Sequence, residues 1–363
     1  QIGSAQPSRM FLALNNLNTV ESDKGLILEG PKDFYVSFRM RSQNHAETVI
    51  SKGRPGIGTA FRLGSLPNGE DYAPRNFVTS VMATENNTTI NLSDYNTGVV
   101  FTTNSAPITA DSQSFILNAG QTIVFSGYTD TPANLNGFIG ALLTSDKPVA
   151  VITGNALAGM AGYNEGQDFT LDQIVGADKI GNEYIFIRGN GNDGNELPLL
   201  IAHEDNTQIF INGNLTPTIT LNAGDYYLVP SSNYQGTNNK NMYVTSSKPI
   251  YAYQILAGNS TYATSGLNFI PPLSCFFQNS VNLPEINKIG NVPYNAELMV
   301  LTYATATVTI NGNPATALPE PVLGNTEWVT YRISGFSGNV QITSTGPLAV
   351  GVFGYSEESI NGT

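Results

Sequence analysis

Apolar positions in this chain come in short runs. Stretches rich in Val, Ile, Leu, Tyr and Phe are bounded by Gly, Asn, Pro and Asp, and the 3.6-residue period of an amphipathic helix is almost absent. Between residues 182 and 257 the pattern predicts strands over Glu183–Arg188, Leu199–Ala202, Gln208–Ile211, Thr218–Leu221, Tyr226–Val229, Met242–Thr245 and Ile250–Leu256. Seven short strands in roughly a hundred residues predict an antiparallel β-sandwich. The turns agree. Asn212-Gly213 and Asn311-Gly312 suit the φ > 0 positions of a type I′ turn. Leu117-Asn118-Ala119-Gly120 and Leu221-Asn222-Ala223-Gly224 each precede a strand, and Lys-Pro pairs are read as tight corners feeding a final strand.

The pattern repeats. Thr84-Glu85-Asn86-Asn87-Thr88-Thr89-Ile90 returns as His203-Glu204-Asp205-Asn206-Thr207-Gln208-Ile209, and in altered form as Thr302-Tyr303-Ala304-Thr305-Ala306-Thr307-Val308. Thr144-Ser145-Asp146-Lys147-Pro148 returns as Thr245-Ser246-Ser247-Lys248-Pro249 and Thr343-Ser344-Thr345-Gly346-Pro347. A period of roughly 100 residues is that of a small domain, so the expectation is tandem all-β sandwich-like modules packed together. The expected divisions are an N-terminal segment over 1–31, modules over 32–158, 182–257 and 291–363, and connectors over 159–181 and 258–290. Apolar residues in the connectors predict that they pack on the modules. In the first module Phe34–Arg41 reads as the opening strand and Ser51–Arg75 as a long loop or extra hairpin. A β-propeller with blades of about 45 residues is the alternative, disfavoured because the repeat is about twice that length.

Composition narrows the partners. Only 12% of the 363 residues are charged, and the formal net charge is −12. Without Lys/Arg clusters, nucleic acid and anionic membrane surfaces are excluded as partners. No apolar run is long enough to cross a bilayer, so membrane insertion is not expected. A single cysteine, Cys275, forbids an intrachain disulfide. Few cysteines with an Asn/Thr/Ser/Gly-rich surface suggest a bacterial exported protein. The chain opens on Gln1 rather than Met, as expected after removal of a signal peptide.

Several motifs together carry a resemblance. They are Ser22-Asp23-Lys24-Gly25, the run Lys32-Asp33-Phe34-Tyr35-Val36-Ser37-Phe38, the strand Glu204-Asp205-Asn206-Thr207, the Leu-Asn-Ala-Gly turns, the Ser-Lys-Pro strand, and Asp172-Gln173-Ile174 with Ile180-Gly181-Asn182-Glu183-Tyr184. Over roughly Asp33 to Tyr355 the chain resembles the IgG Fc-binding protein N-terminal domain family. That family occurs in animal mucus proteins and in secreted proteins of gliding Bacteroidetes. The resemblance implies a cell-surface or secreted module working in adhesion or surface assembly, alongside type 9 secretion and gliding machinery. Immunoglobulin binding belongs to the animal members.

Candidate chemistry is sparse. Gly189-Asn190-Gly191-Asn192-Asp193-Gly194 fits G-x-G-x-x-G, but a strand rather than a phosphate-holding helix follows it. The loop is either plain or a Ca²⁺ loop using Asp193, Glu196 and Asn190, calcium being the one cofactor expected, if any. Glu85, Glu204 and Asp205 recur at one repeat position. They read as turn chemistry or, less simply, as an acid–base pair. His45 and His203 lack ligand-spaced partners, and Cys275 reads as a buried small hydrophobe. Tyr163, Tyr234, Tyr262 and Tyr294 offer either ligand contacts or cover for seams between modules. Asn87, Asn214 and Asn259 stand in chance N-x-S/T contexts. The expected function is non-enzymatic: an adhesin or ligand-binding head recognising a protein or glycan on a surface, beside neighbouring domains of its own protein. The alternatives are a stalk or fibre subunit, and a carbohydrate-active enzyme. A specific site is expected in Ser51–Arg75, Gly189–Glu196 or the connectors, where the repeat breaks.

Overall fold

A computed structural model describes residues 12–355 except 33, 35, 43–44, 70–73, 161–165, 258–264 and 275–276. Tyr163, Tyr262, Asn259 and Cys275 lie outside the described residues. The described chain is all-β, with a few 3₁₀ turns and every paired strand antiparallel. A hairpin comes first, β1 (Ser37–Ser42) and β2 (His45–Ile50). The first repeat follows with β3 (Ile57–Arg62), β4 (Asn76–Ala83), β5 (Thr88–Ser93), β6 (Gln113–Leu117), β7 (Thr122–Tyr128), β8 (Leu142–Ala158) and β9 (Asp168–Gln173). The second has β10 (Gly181–Ile187), β11 (Pro198–Ala202), β12 (Thr207–Ile211), β13 (Ile219–Leu221), β14 (Tyr226–Leu228), β15 (Asn241–Ala257) and β16 (Ser265–Phe269). The third has β17 (Ser280–Leu283), β18 (Lys288–Ile289), β19 (Val292–Pro293), β20 (Asn295–Tyr303), β21 (Val308–Ile310), β22 (Asn313–Pro314), β23 (Glu320–Val322), β24 (Asn325–Ile333), β25 (Val340–Ser344) and β26 (Leu348–Tyr355).

The Lys-Pro pairs are not corners between two strands. Leu142–Ala158 and Asn241–Ala257 each run unbroken through them for 17 residues. Each long strand joins two sets of partners within one seven-stranded sheet. The first half of β15 pairs with β10 and β12, and its second half with β11 and β16. Between the halves the partner register shifts, from Glu183↔Thr245 to Gly181↔Ile250, and β8 shifts in the same way against β3. Proline cannot donate to a ladder, so it fits this irregular crossing where it would break a regular strand. In the third repeat, where Gly346-Pro347 replaces Lys-Pro, the strand does break. β25 and β26 are then separate members of the two facing sheets.

Two other expectations are corrected. The opening strand predicted at Phe34–Arg41 is part of a hairpin whose strands pair only with each other. The predicted loop Ser51–Arg75 holds β3, the true first strand of the repeat, and beyond it the fully buried Leu63 and Leu66. The connectors do pack. β9 and β16 each add an edge strand to the sheet of the repeat before them.

The repeats stack through one recurring interface. One face of β11 and β15 carries Ile201↔Tyr251 and Leu199↔Tyr253, all with no exposed surface, and packs into the core of the first repeat. Tyr253 donates its hydroxyl to Arg62 O at 3.3 Å, and Tyr251 to Val175 O at 3.0 Å. The corresponding face of β20 and β26, with Leu301↔Ala349 and Met299↔Gly351, packs on Ile185, Ile187 and Tyr243 of the second repeat. Each repeat thus seats one sheet on the first-strand face of the repeat before it. That receiving face is Arg62↔Leu142 in the first repeat, Ile185↔Tyr243 in the second and Asn282↔Gln341 in the third. The hairpin completes the set of contacts. Arg39 of β1 donates to Pro284 O, Glu285 O and Lys288 O at the start of the third repeat, so all three repeats are held together.

Candidate functional site

The recurring polar residues are used up inside the fold. In the first repeat Asn86 Oδ1 accepts from Ala119 N at 3.1 Å, Asn118 Oδ1 accepts from Asn87 N at 3.1 Å, and Lys147 Nζ donates to Asn86 O. In the second, Asp205 Oδ1 accepts from Ala223 N at 3.0 Å, and Lys248 Nζ donates to Asp205 O at 2.7 Å. Thr88 and Thr207 donate their hydroxyls to Glu85 O and Glu204 O. Asn87 and Asn206 hold φ of 54° and 55°, the left-handed geometry that Asn tolerates. The motif is a three-turn clasp joining the loop before β5 or β12, the Asn-Ala-Gly turn and the Lys-Pro crossing. Glu85 and Glu204 belong to different clasps and do not form an acid–base pair.

Gly189–Glu196 lies at the seam between the second and third repeats. Glu196 is fully buried, and its two oxygens accept from Gly189 N at 2.9 Å and Gly191 N at 2.8 Å. Asp193 meets the Arg188 guanidinium at 2.8 Å. Asn190 Oδ1 accepts from Arg332 Nη2 at 2.8 Å, and the other nitrogen of Arg332 donates to Arg188 O and Gly189 O. The three oxygens proposed as Ca²⁺ ligands therefore face backbone donors and two guanidinium cations. That donor set does not fit a bound cation. Among the described residues no group of three His, Cys, Asp or Glu side chains is placed to hold a metal.

The sequence reading passed over a cluster where β2 meets β9. Asp168 and Asp172 project from one face of β9 at the period-2 spacing of a strand. Asp168 Oδ1 accepts from Ala46 N at 2.9 Å and lies 3.5 Å from His45 Nδ1. Asp172 takes Lys52 Nζ at 2.9 Å, Phe269 N at 3.0 Å and Ile50 N at 3.5 Å. Glu47 reaches the other way and accepts from Leu171 N at 3.3 Å. All three carboxylates are buried. Burial, opposed by His45 and nearby backbone donors, pushes Asp168 up to about 6. Burial pushes Glu47 well above the usual carboxylate range and raises Asp172 against the pull of Lys52. The hydrogen bond to Asp168 raises His45. Perturbed acids often mark a reaction site, but here their oxygens are taken by backbone amides, His45 and Lys52 between packed strands. The signal in the sequence was Asp168-x-Thr170-x-Asp172, a polar face on an otherwise apolar strand.

The remaining candidates are scattered. His203 packs edge-on to Tyr251 at 6.5 Å, and burial lowers its pKa. Tyr234 is buried in the second repeat's core, and Tyr294 packs against that of the third. A depression of about 310 Å³ in the third repeat is lined by residues including Thr307, Pro314, Leu318 and Tyr331, with no carboxylate, histidine or cysteine among them.

With this geometry in view, comparison with known proteins gives one match. A family model described as IgGFc binding protein covers residues 46–354. No curated protein and no solved structure matches the chain.

Proposed function

The chain belongs to the IgGFc binding protein family, and from that premise we propose that it is a non-enzymatic ligand-binding head of an exported bacterial surface protein. Proteins of this family are generally secreted binding proteins. The reading adds that the partner is a protein or glycan on a surface, met while the chain is held beside neighbouring domains or the secretion machinery of its own cell.

The observation that favours a head over a fibre subunit is the way the stack ends. The first two receiving faces place Arg62, then Ile185 and Tyr243, beneath the next repeat. The third offers Asn282 and Gln341, both exposed. A heterologous interface propagates only while each new end presents the same surface, and a polar terminal face halts it. The enzyme reading draws no support from the buried acids, whose oxygens accept backbone amides. Family membership leaves the ligand open, because function resides in sites rather than folds.

The test is binding of the purified chain to a glycan array and to immobilised immunoglobulin Fc, with its mass followed by light scattering. The head reading expects saturable binding to one ligand class by a protein of constant mass. Failure on both surfaces, with mass growing as concentration rises, would replace it by the fibre reading.

A further inference from the structure

The β1–β2 hairpin stands outside the seven-stranded sheet of the first repeat. Its strand β2 runs parallel to β9, with Ala46, Glu47, Ile50 and Lys52 meeting Asp168, Leu171, Asp172 and Gln173 in order. Among the described residues no backbone ladder joins the two strands. Carboxylates take the place of carbonyls: Asp168 and Asp172 accept the amides of Ala46 and Ile50, and Glu47 accepts that of Leu171. At the other end of the hairpin Arg39 grips three carbonyls of the third repeat. We propose that this hairpin is a pH-gated strap, seated on β9 at mildly acidic pH and loosened as pH rises, which governs the hold of the first repeat on the third.

The sign follows from which groups gather at the seam. β2 supplies His45 and Glu47, the turn after it Lys52, and β9 Asp168 and Asp172. β16 touches Asp172 through Phe269 N and carries no titratable side chain. β1 supplies Arg39, committed to the third repeat, and the exposed Arg41. Seating raises all three carboxylates through burial, and raises His45 through Asp168. A group raised on seating binds more protons in the seated state. Each of the four therefore favours seating at low pH and loses that contribution as pH rises through its seated value. Lys52 opposes the carboxylate repulsion at Asp172, and protonated His45 opposes it at Asp168. For Asp168, moving from 3.8 to about 6, linkage makes the seating equilibrium about tenfold tighter at pH 5 than at pH 8. Glu47 and His45 add to this in the same direction.

The test is amide hydrogen exchange on the full chain at pH 5 and pH 8, each rate divided by its intrinsic rate at that pH. The amides of Ala46 and Ile50 report on the seam directly, and those of β20 serve as an internal reference. Protection at Ala46 and Ile50 is expected to fall at least about tenfold at pH 8 while the reference holds. Asp168→Asn should weaken that pH dependence, and Glu47→Gln carries the same test should Asp168→Asn fail to fold. Arg39→Ala should lower protection at both pH values without changing their ratio. Equal protection at the two pH values, a fall on acidification, or full pH dependence in both carboxyl variants would overturn the strap.

Discussion

At the residue scale the molecule's polar economy rests on buried carboxylates that accept backbone amides. Glu196 closes its own loop in this way. Glu320 accepts Thr237 N at 2.9 Å and Asn238 N at 2.6 Å across the seam between the second and third repeats. Asp168 and Asp172 seat the hairpin. With 12% charged residues, few cations are available to neutralise such acids. Amide donors take that role, in charge-assisted hydrogen bonds stronger than neutral ones. Glu196→Ala would leave two buried N–H groups without an acceptor, at a cost of about 2–4 kcal/mol. An unfolding free energy lowered by that amount in Glu196→Ala, read from denaturant titration, with a wild-type melting temperature unmoved by chelator, is the expected pair of results. A melting temperature that falls with chelator would restore the calcium reading. Sequence drew attention to Glu196 and Asp193 because acids and amides cluster there. It could not see Arg188 and Arg332, and Arg332 arrives from a strand 136 positions downstream of Glu196.

At the element scale the decisive pieces are β8 and β15. A strand pattern interrupted by Lys-Pro reads locally as two strands and a corner. Only the partners show that both halves are one strand joining two sets of neighbours in a single sheet. The hidden β3 has the same cause. Ile57-Gly-Thr-Ala-Phe-Arg62 is short and lies amid Gly and Pro at 53, 55, 56 and 58, yet it is fixed as a strand by pairing with β8. Elements also set the closeness of the seams. At Gly64 an added methyl group would lie 2.5 Å from the fully buried ring of Tyr253. Gly64→Ala should therefore destabilise by about 1–3 kcal/mol through overpacking. A second change, Tyr253→Leu, should recover part of that loss by freeing the space. Unchanged stability in the single variant would show that the seam yields. The turns, by contrast, were legible. Asn212-Gly213 and Asn311-Gly312 hold φ of 53°, 75°, 50° and 80° as their dipeptides require, because such geometry is a property of adjacent residues.

At the scale of the whole molecule the first and second repeats share one hydrophobic core, with Leu199, Ile201, Tyr251, Tyr253 and Ile255 of the second buried against the first. The consequence is that the second repeat is not an independent folding unit. A fragment of residues 182–257 would expose that apolar face and lose β16 from its sheet edge. It is expected to aggregate or to unfold without cooperativity by calorimetry, whereas the full chain unfolds with these two repeats in a single transition. A fragment that melts cooperatively on its own would refute this. The sequence by itself determined what depends on neighbours along the chain: the all-β class, the roughly 100-residue repeat and the turns. Tertiary structure alone decided what depends on residues far apart in the chain. It set which face of one repeat meets the next, the long strand that joins two sets of partners, the assignment of Glu196 to amides rather than a cation, and the meeting of His45, Glu47, Asp168 and Asp172 at one buried seam. Strand and turn preferences are local energies carried by adjacent residues, whereas burial and the pairing of charges depend on groups that only the folded chain brings within reach.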